Sequence, residues 1–349
     1  MTDPTTIRVG VVGVGSFGRN HARVYADLQK NPVPGLKVEL AAIADADKSR
    51  ASEVAKEFGA TVFSSVEEML KWAKVQAVSV CVPTSAHLTV AEKLLEGGAD
   101  VLIEKPLASN MFEADDLLRI ANRTKKIVQV GHLERFNPAV RAVLPLVTKP
   151  MFFEVHRLSI FTPRSLDVDV VLDLMIHDID VVLSLVNSPV KEIRAVGLPV
   201  LTNKVDIANV RLEFHSGAVA NFTASRVSTE RVRKLRFFQP HEYISIDYSR
   251  RDIFKLSVQP AANPAVDSGT GFAMPDVVPS KPQVADEEPL RAELRSFLES
   301  VRDRSKPVVT LDDGRAALLV ALDILKAIQE HSRRTGLDAI NAMQPSAGN

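Results

Sequence analysis

The 349-residue sequence predicts an α/β chain with two domains: an N-terminal doubly wound parallel sheet, then a C-terminal α+β domain with a large, mostly antiparallel, open-faced sheet. Three observations predict it. Up to Val130, short apolar runs alternate with amphipathic stretches, the rhythm of repeated β-α units. A glycine-rich turn, Gly13 to Gly18, lies between the first such run and the first helical stretch. From Met151 the rhythm changes to consecutive strand-like segments joined by turns such as His215-Ser216-Gly217.

The first strand contains Ile7, Val9, Val11 and Val12, nearly all apolar, as a parallel strand covered on both faces should be. Gly13, Gly15 and Gly18 then form G-x-G-x-x-G, with Ser16 and Phe17 between the last two. The first glycine permits the tight turn, the second lets a pyrophosphate approach the backbone, and the third lets the helix pack on the strand. The helix that follows presents unpaired N–H groups and the positive end of its dipole. A dinucleotide on a Rossmann domain is therefore expected. A second apolar strand, Val38 to Ala44, ends in Asp45, farther from Gly18 than the usual ~20 residues. The loop Asn31-Pro32-Val33-Pro34-Gly35 accounts for the surplus. A carboxylate at this strand end accepts hydrogen bonds from a ribose diol and repels a 2′-phosphate, which favours NAD over NADP. Lys48 and Arg50, at the start of the next helix, are either solvated or partners for such a phosphate.

Helical and strand segments then alternate: Ser49–Phe58, Thr61–Phe63, Ser65–Trp72, Ala77–Val82, His87–Glu96, Val101–Glu104, Asn110–Arg123 and Ile127–Val130. Ser65 with Glu68 and Asn110 with Glu113 read as capping boxes, and Gly97-Gly98 as a helix stop. In a sheet of this kind ligands lie outside the carboxyl ends of the strands, so the residues at those ends are the ones to inspect. The fourth strand ends in Val82-Pro83-Thr84 with His87 close behind, and the fifth ends in Glu104-Lys105-Pro106. Pro106 keeps Lys105 extended at its strand end. Pro83, Thr84, His87, Glu104 and Lys105 are thus candidate cofactor contacts, with His87 alternatively bonding its own turn. The sixth strand runs out into Gly131-His132-Leu133-Glu134-Arg135-Phe136-Asn137-Pro138. The polar side chains there either lock a hinge or bind substrate. Residues 1–135 are assigned to the dinucleotide domain and residues 136–340 to substrate binding and oligomerisation, with the C-terminal helices free to pack back on the first domain.

In the second domain Met151–Leu158, Lys191–Val196, Asp206–Phe214, Ala218–Ser225, Arg231–Phe238, Tyr243–Asp247 and Ile253–Val258 read as strands. Between the first two lies a helical stretch, Val170–Val186, whose apolar run is broken by Asp173, His177, Asp178 and Asp180. Asp173 and His177 stand four apart, on one helix face, where a carboxylate can hold an imidazole tautomer as a general base requires. The competing reading is a satisfied core histidine beside solvated aspartates. Gln259–Pro289, rich in Pro, Ala and Gly, is expected to be a long surface arm, and helices at Leu290–Arg302 and Asp312–Arg333 close the chain.

Composition narrows the partners. Lys plus Arg equals Asp plus Glu at 43 each, so no net field recruits nucleic acid or an anionic membrane. The single cysteine, Cys81, excludes a disulfide framework and a multi-cysteine metal site, and it reads as an inert buried thiol. His177 with Asp173 and Asp180 offers ligand types but lacks a second histidine at ligand spacing, so no metal is expected. No apolar run reaches membrane length and no signal-like segment opens the chain, so a cytoplasmic location is expected.

The glycine turn, Glu104-Lys105-Pro106 and the Asp173-to-His177 helix together resemble the Gfo/Idh/MocA family (glucose-fructose oxidoreductase/inositol dehydrogenase) over nearly the whole chain. The resemblance implies an NAD-dependent sugar dehydrogenase in which Lys105, Asp173 and His177 meet around the nicotinamide. The His132-x-Glu134-Arg135-Phe136-Asn137-Pro138 stretch and the helix from Val170 further resemble a branch that oxidises the 3-hydroxyl of UDP-N-acetylhexosamines and passes the ketone to a pyridoxal-dependent aminotransferase. On that reading Arg135 and Arg164 suit a diphosphate, and His132, Glu134 and Asn137 suit sugar hydroxyls. The family also implies a homodimer or homotetramer formed through the open sheet face. An inositol or free-sugar dehydrogenase of the same family, and an NAD-sensing regulator, are the alternatives.

Overall fold

The computed structural model describes residues 6–162, 168–259 and 276–337. The chain divides into two compact units, Met1–Phe136 with Glu287–Leu319 and Asn137–Asp286 with Val320–Asn349. In the first unit six strands, β1 (Thr6–Val12), β2 (Lys37–Ala44), β3 (Thr61–Phe63), β4 (Ala77–Val80), β5 (Asp100–Glu104) and β6 (Val128–Gly131), pair in the order β3-β2-β1-β4-β5-β6. Every pairing is parallel. Strand order reverses between β1 and β4, and the crevice at such a switch point is where this topology takes its ligand. Val9, Val11, Val78, Val80, Leu102 and Ile103 are fully buried, which explains why these strands read as continuous apolar runs.

The helices α1 (Ser16–Lys30), α2 (Lys48–Phe58), α3 (Val66–Glu68), α4 (His87–Glu96) and α5 (Met111–Thr124) connect the strands. The Asp47, Ser65 and Asn110 side chains cap α2, α3 and α5 as acceptors of first-turn N–H groups. The stretch expected as one helix over Ser65–Trp72 leaves α geometry after Glu68 and continues as a π turn, Met69–Ala73.

The second unit opens with α6 (Pro138–Val143) and contains β7 (Phe152–Ile160), α7 (Ile176–Val186), β8 (Val190–Leu198), β9 (Ile207–Phe214), β10 (Val219–Ser228), β11 (Val232–Gln239), β12 (Glu242–Asp247), β13 (Asp252–Gln259) and β14 (Asp276–Ser280). Its eight-stranded sheet runs β14-β13-β12-β11-β7-β10-β9-β8, antiparallel except for the β7–β10 pair. Along β7 and β9 burial alternates, so one face is core and the other open. Phe153 and Phe237, directly opposite on β7 and β11, stack at 5.5 Å on the covered face. The segment Gln259–Pro289, expected as an arm without secondary structure, instead contributes β14 as an edge strand on β13. Pro279 is tolerated because an edge strand has one side on which no N–H is needed. Residues 260–275 of that segment lie outside the described ones. The chain ends with α8 (Pro289–Asp303) and α9 (Leu311–Thr335). Leu290, Leu294, Phe297 and Leu298 of α8 complete the first unit's core beside Ile7, Val24, Tyr25 and Leu28. Among the described residues no helix is long and apolar enough to cross a membrane.

Asp178, read from sequence as solvated if not functional, is buried. Its carboxylate takes Nε of Arg157 at 2.5 Å and Nη2 at 2.9 Å, tying α7 to β7, and the Tyr248 ring lies 5.2 Å from the guanidinium. Both charged side chains are almost wholly out of water, at 4% and 2% exposure, so removing one strands the other. Asp178→Ala should therefore cost about 3–5 kcal/mol. The double replacement Arg157→Met/Asp178→Leu should cost clearly less, as measured by urea unfolding of the two variants beside wild type.

Candidate active site

Helix α1 follows Gly15 with no side-chain cap, unlike α2, α3 and α5, and has no acidic residue in its first turn. Its first N–H groups are left for an anion. Gly13 has φ +82°, and a Cβ there would lie 2.7 Å from the backbone of Cys81 and Val82. A Cβ on Gly18 would fall 1.8 Å from the Gly13 carbonyl oxygen, whereas nothing lies within 4 Å of the Cβ position of Gly15. Two glycines are thus demanded by packing and the third leaves open the space a pyrophosphate needs. Ser16 and Phe17 are exposed at the start of α1, with Phe17 40% accessible. Asp45, at the end of β2, accepts from Val14 N–H at 2.6 Å and Asp47 N–H at 2.8 Å, and Arg50 Nη2 reaches it at 2.9 Å. Burial opposes ionisation of Asp45, but the Arg50 hydrogen bond and those two N–H groups outweigh it and hold the carboxyl below its usual range. This set of residues fits a dinucleotide.

At the ends of β4 and β5, Pro83 is exposed while Thr84 and Lys105 are half-buried. The Lys105-Pro106 peptide is cis. His87 is buried, with Nε2 3.0 Å from the Val82 carbonyl and Nδ1 3.1 Å from that of Pro106. The ring thus lies between the two strand-end loops, and its single N–H in the neutral form donates to one of these carbonyls. Burial, opposed by those carbonyls, lowers its affinity for a proton. Glu104 points inward: only 8% of it is accessible, and its Oε2 accepts the Lys105 N–H at 3.3 Å. His132, beyond β6, is also fully enclosed. Burial first, then the charges of Lys105 and Arg135, push its imidazole down to about 3, so it is neutral.

The remaining sequence candidates divide between the units. Glu134 is buried and Arg135 half-buried, with Arg135 Nη2 3.5 Å from the Val308 carbonyl. Asn137 caps α6 through Oδ1 and donates Nδ2 to the Tyr248 carbonyl at 3.1 Å, both within the second unit. Arg164 lies outside the described residues. In the second unit Asp173 falls within a π segment, Val171–Met175, that precedes α7, and His177 is the second residue of α7 itself; both are half-buried. The segment packs on β10 and closes through Ile176 N–H to the Val171 carbonyl. Single π turns inside helices recur at functional sites, and this one carries Asp173 and leads directly into the turn of α7 that carries His177.

Nothing in the sequence announces His21. It is fully buried on α1, its Nε2 is 3.1 Å from Glu104 Oε1, and its ligand atoms together with those of Cys81 and Glu104 lie within 4.8 Å of one another. Cys81, read as inert, is half-buried, and burial followed by the Glu104 and Glu293 charges pushes its thiol well up, so it stays protonated.

Residues 7–132 match the oxidoreductase family with an NAD-binding Rossmann fold, and residues 150–239 match the GFO/IDH/MocA C-terminal domain. The chain is 35% identical to UDP-N-acetylglucosamine 3-dehydrogenase of Acidithiobacillus ferrooxidans, covering 94% of this chain and 99% of that one. It is 27% identical to scyllo-inositol 2-dehydrogenase (NAD(+)) of Bacillus subtilis, with 90% and 92% covered. A solved structure of the Acidithiobacillus ferrooxidans enzyme superposes with a TM-score of 0.83 at 34% identity, covering 93% of this chain and 99% of the other. Matches to both family models, together with a 35% identical relative covered almost end to end, show that the chain belongs to the Gfo/Idh/MocA oxidoreductase family.

Proposed function

We propose that the chain oxidises the 3-hydroxyl of a UDP-N-acetylhexosamine, UDP-N-acetylglucosamine first among them, to the 3-keto sugar with NAD. The observation that carries this reading is the nearly full-length likeness, at 35% identity, to an enzyme of that name, against 27% for the inositol dehydrogenase. Gly13, Gly15, Ser16, Phe17, Gly18, Asp45, Pro83 and Thr84 hold the dinucleotide. A nicotinamide bound there would supply the acceptor for the hydride leaving the carbinol carbon. His177 takes the hydroxyl proton at a ring nitrogen, with Asp173 orienting the imidazole. Lys105 hydrogen-bonds the same oxygen and stabilises the charge that develops on it. Arg135 and Glu134 are offered to the nucleotide sugar. A ketone formed in an uphill oxidation needs a consumer, and transfer of an amino group to it by a pyridoxal-dependent enzyme meets that need. Self-association would use the open sheet face, where Phe238 contacts Phe152 at 5.7 Å and Tyr243 at 5.1 Å while 38% exposed.

Three measurements test this. With an aminotransferase or carbonyl trap present, mass spectrometry and NMR should identify a 3-keto or 3-amino sugar from UDP-N-acetylglucosamine; oxidation of myo-inositol or glucose instead would overturn the assignment. Lys105→Ala and His177→Ala should each slow single-turnover hydride transfer by about a hundredfold while leaving dinucleotide affinity nearly intact. Calorimetric titration should give tighter binding of NAD than NADP, and Asp45→Ala should erode the difference; an unchanged ratio would hand the selection to Arg50.

A further inference from the structure

Beneath the glycine turn, polar side chains from different segments of the first unit converge in the interior. His21 comes from the second turn of α1, Cys81 follows β4, and Glu104 ends β5. Neither nitrogen of His21 nor Oε1 of Glu104 has an aligned hydrogen-bond partner among the described residues. The two side chains nevertheless approach to 3.1 Å with His21 wholly buried. At that separation the ring N–H lies off the line to the oxygen, so the contact is a close electrostatic one between a wholly buried ring and a carboxylate oxygen, Oε1, that water does not reach. A buried carboxylate is costly unless something faces its charge, and His21 is what faces this one.

The surroundings are shaped to keep the Glu104 carboxylate in place. Its neighbour across the β5–β6 ladder is Gly131, and a Cβ there would lie 2.6 Å from Oε1 and 3.0 Å from Oε2. Only a residue without a side chain lets the carboxylate lie over that strand. With Oε1 turned to His21, Oε2 accepts the backbone N–H of Lys105 at 3.3 Å. Lys105 is thereby anchored through its main chain to a carboxylate that is held by α1. The same helix carries the glycine cradle at its N-terminus, and the Phe17 ring lies 5.3 Å from the His21 ring.

We propose that His21 is a positioning residue: with Glu104 it forms a buried bridge that fixes the backbone of Lys105 relative to the dinucleotide-cradling helix, so that cofactor seat and Lys105 move as one body. The inference rests on the reading of Lys105 given under Proposed function. His21 touches neither cofactor nor substrate. Its contribution is alignment, and misplacing a reacting group by about 1 Å can cost about a hundredfold in rate.

The test compares wild type with His21→Leu, His21→Gln, Glu104→Gln and the double variant His21→Leu/Glu104→Gln. Single-turnover hydride transfer with UDP-N-acetylglucosamine is measured at saturating NAD, and the NAD Kd is measured separately. His21→Leu should slow hydride transfer by about tenfold or more with the Kd nearly unchanged, and His21→Gln, which keeps an N–H, should recover most of the loss. The double variant should be no slower than the slower single one, as for two halves of one bridge. Wild-type rates in both His21→Leu and Glu104→Gln, additive losses, or a rate loss matched by an equal loss of NAD affinity would each overturn the proposal. If His21→Leu does not fold, His21→Ala takes its place in the same cycle. If wild type turns over no UDP-N-acetylhexosamine, the substrate assignment fails by itself. A crystal structure of the His21→Gln or His21→Leu protein then settles the bridge: a Glu104 carboxylate displaced from the Lys105 N–H supports it, and one unmoved overturns it.

Discussion

The close approach of α1 to the first strands is the constraint on which the rest of the first unit depends. A methyl group at Gly18 would stand 1.8 Å from the Gly13 carbonyl oxygen, so the helix can seat itself only because that methyl group is missing. Seated there, α1 points an uncapped N-terminus into the crevice at the switch between β1 and β4. The same seating drives Val24, Tyr25 and Leu28 into the core and brings Tyr25 Oη within 2.8 Å of Ser79 Oγ on β4. It also lowers His21 onto the end of β5. One steric allowance therefore makes the anion site, builds the core behind it and reaches the strand end that carries Lys105.

The second unit meets a different demand, which is to hold charged and titratable groups inside an otherwise apolar layer. Asp178 and Asp180 are each 1% exposed on α7. The bidentate pair with Arg157 answers the first of these charges, and the Tyr248 ring covers the pair from the other side. Asp173 and His177 are left half-buried on the same stretch. The π segment is what separates these roles. Packed on β10, it keeps Val171 and Met175 buried and leaves Asp173 half-buried.

Local chemistry was legible in the sequence wherever the partner is near in the chain. The glycine turn, the caps at Ser65 and Asn110, and the strand ends at Asp45 and Glu104 follow from residues within a few positions of one another. Contacts between distant positions were not. His21 and Glu104 lie on separate elements, and a lone histidine on an apolar helix face has no pattern that names its partner. His87 looked like a turn residue or a cofactor contact because neither the Val82 nor the Pro106 carbonyl can be placed before the loops are folded. The π turns at Met69–Ala73 and Val171–Met175 keep the apolar spacing of an ordinary helix, so periodicity does not distinguish them. β14 was hidden because five residues containing a proline, next to a Pro- and Gly-rich run, carry none of the alternation that marks a strand.

The Asp45–Arg50 pair shows how a single strand-end carboxylate can do more than mark a binding site. Two backbone N–H groups, from Val14 in the glycine turn and from Asp47 ahead of α2, converge on it, so it joins the turn to the next helix before any ligand arrives. Because Arg50 and those N–H groups outweigh burial, the carboxylate is ionised across the physiological range. A ribose diol arriving at this position exchanges water for acceptors that are already oriented, with no proton to remove first. A 2′-phosphate meets the same fixed negative charge. It is accommodated only if Arg50, 46% exposed and held by that carboxylate, turns away from Asp45 to face it. The guanidinium thus has two possible partners that exclude each other, and the one already present is tied down by the backbone. The proposed preference for a dinucleotide without the extra phosphate rests on that asymmetry: the N–H groups of Val14 and Asp47 keep the carboxylate where Arg50 finds it first.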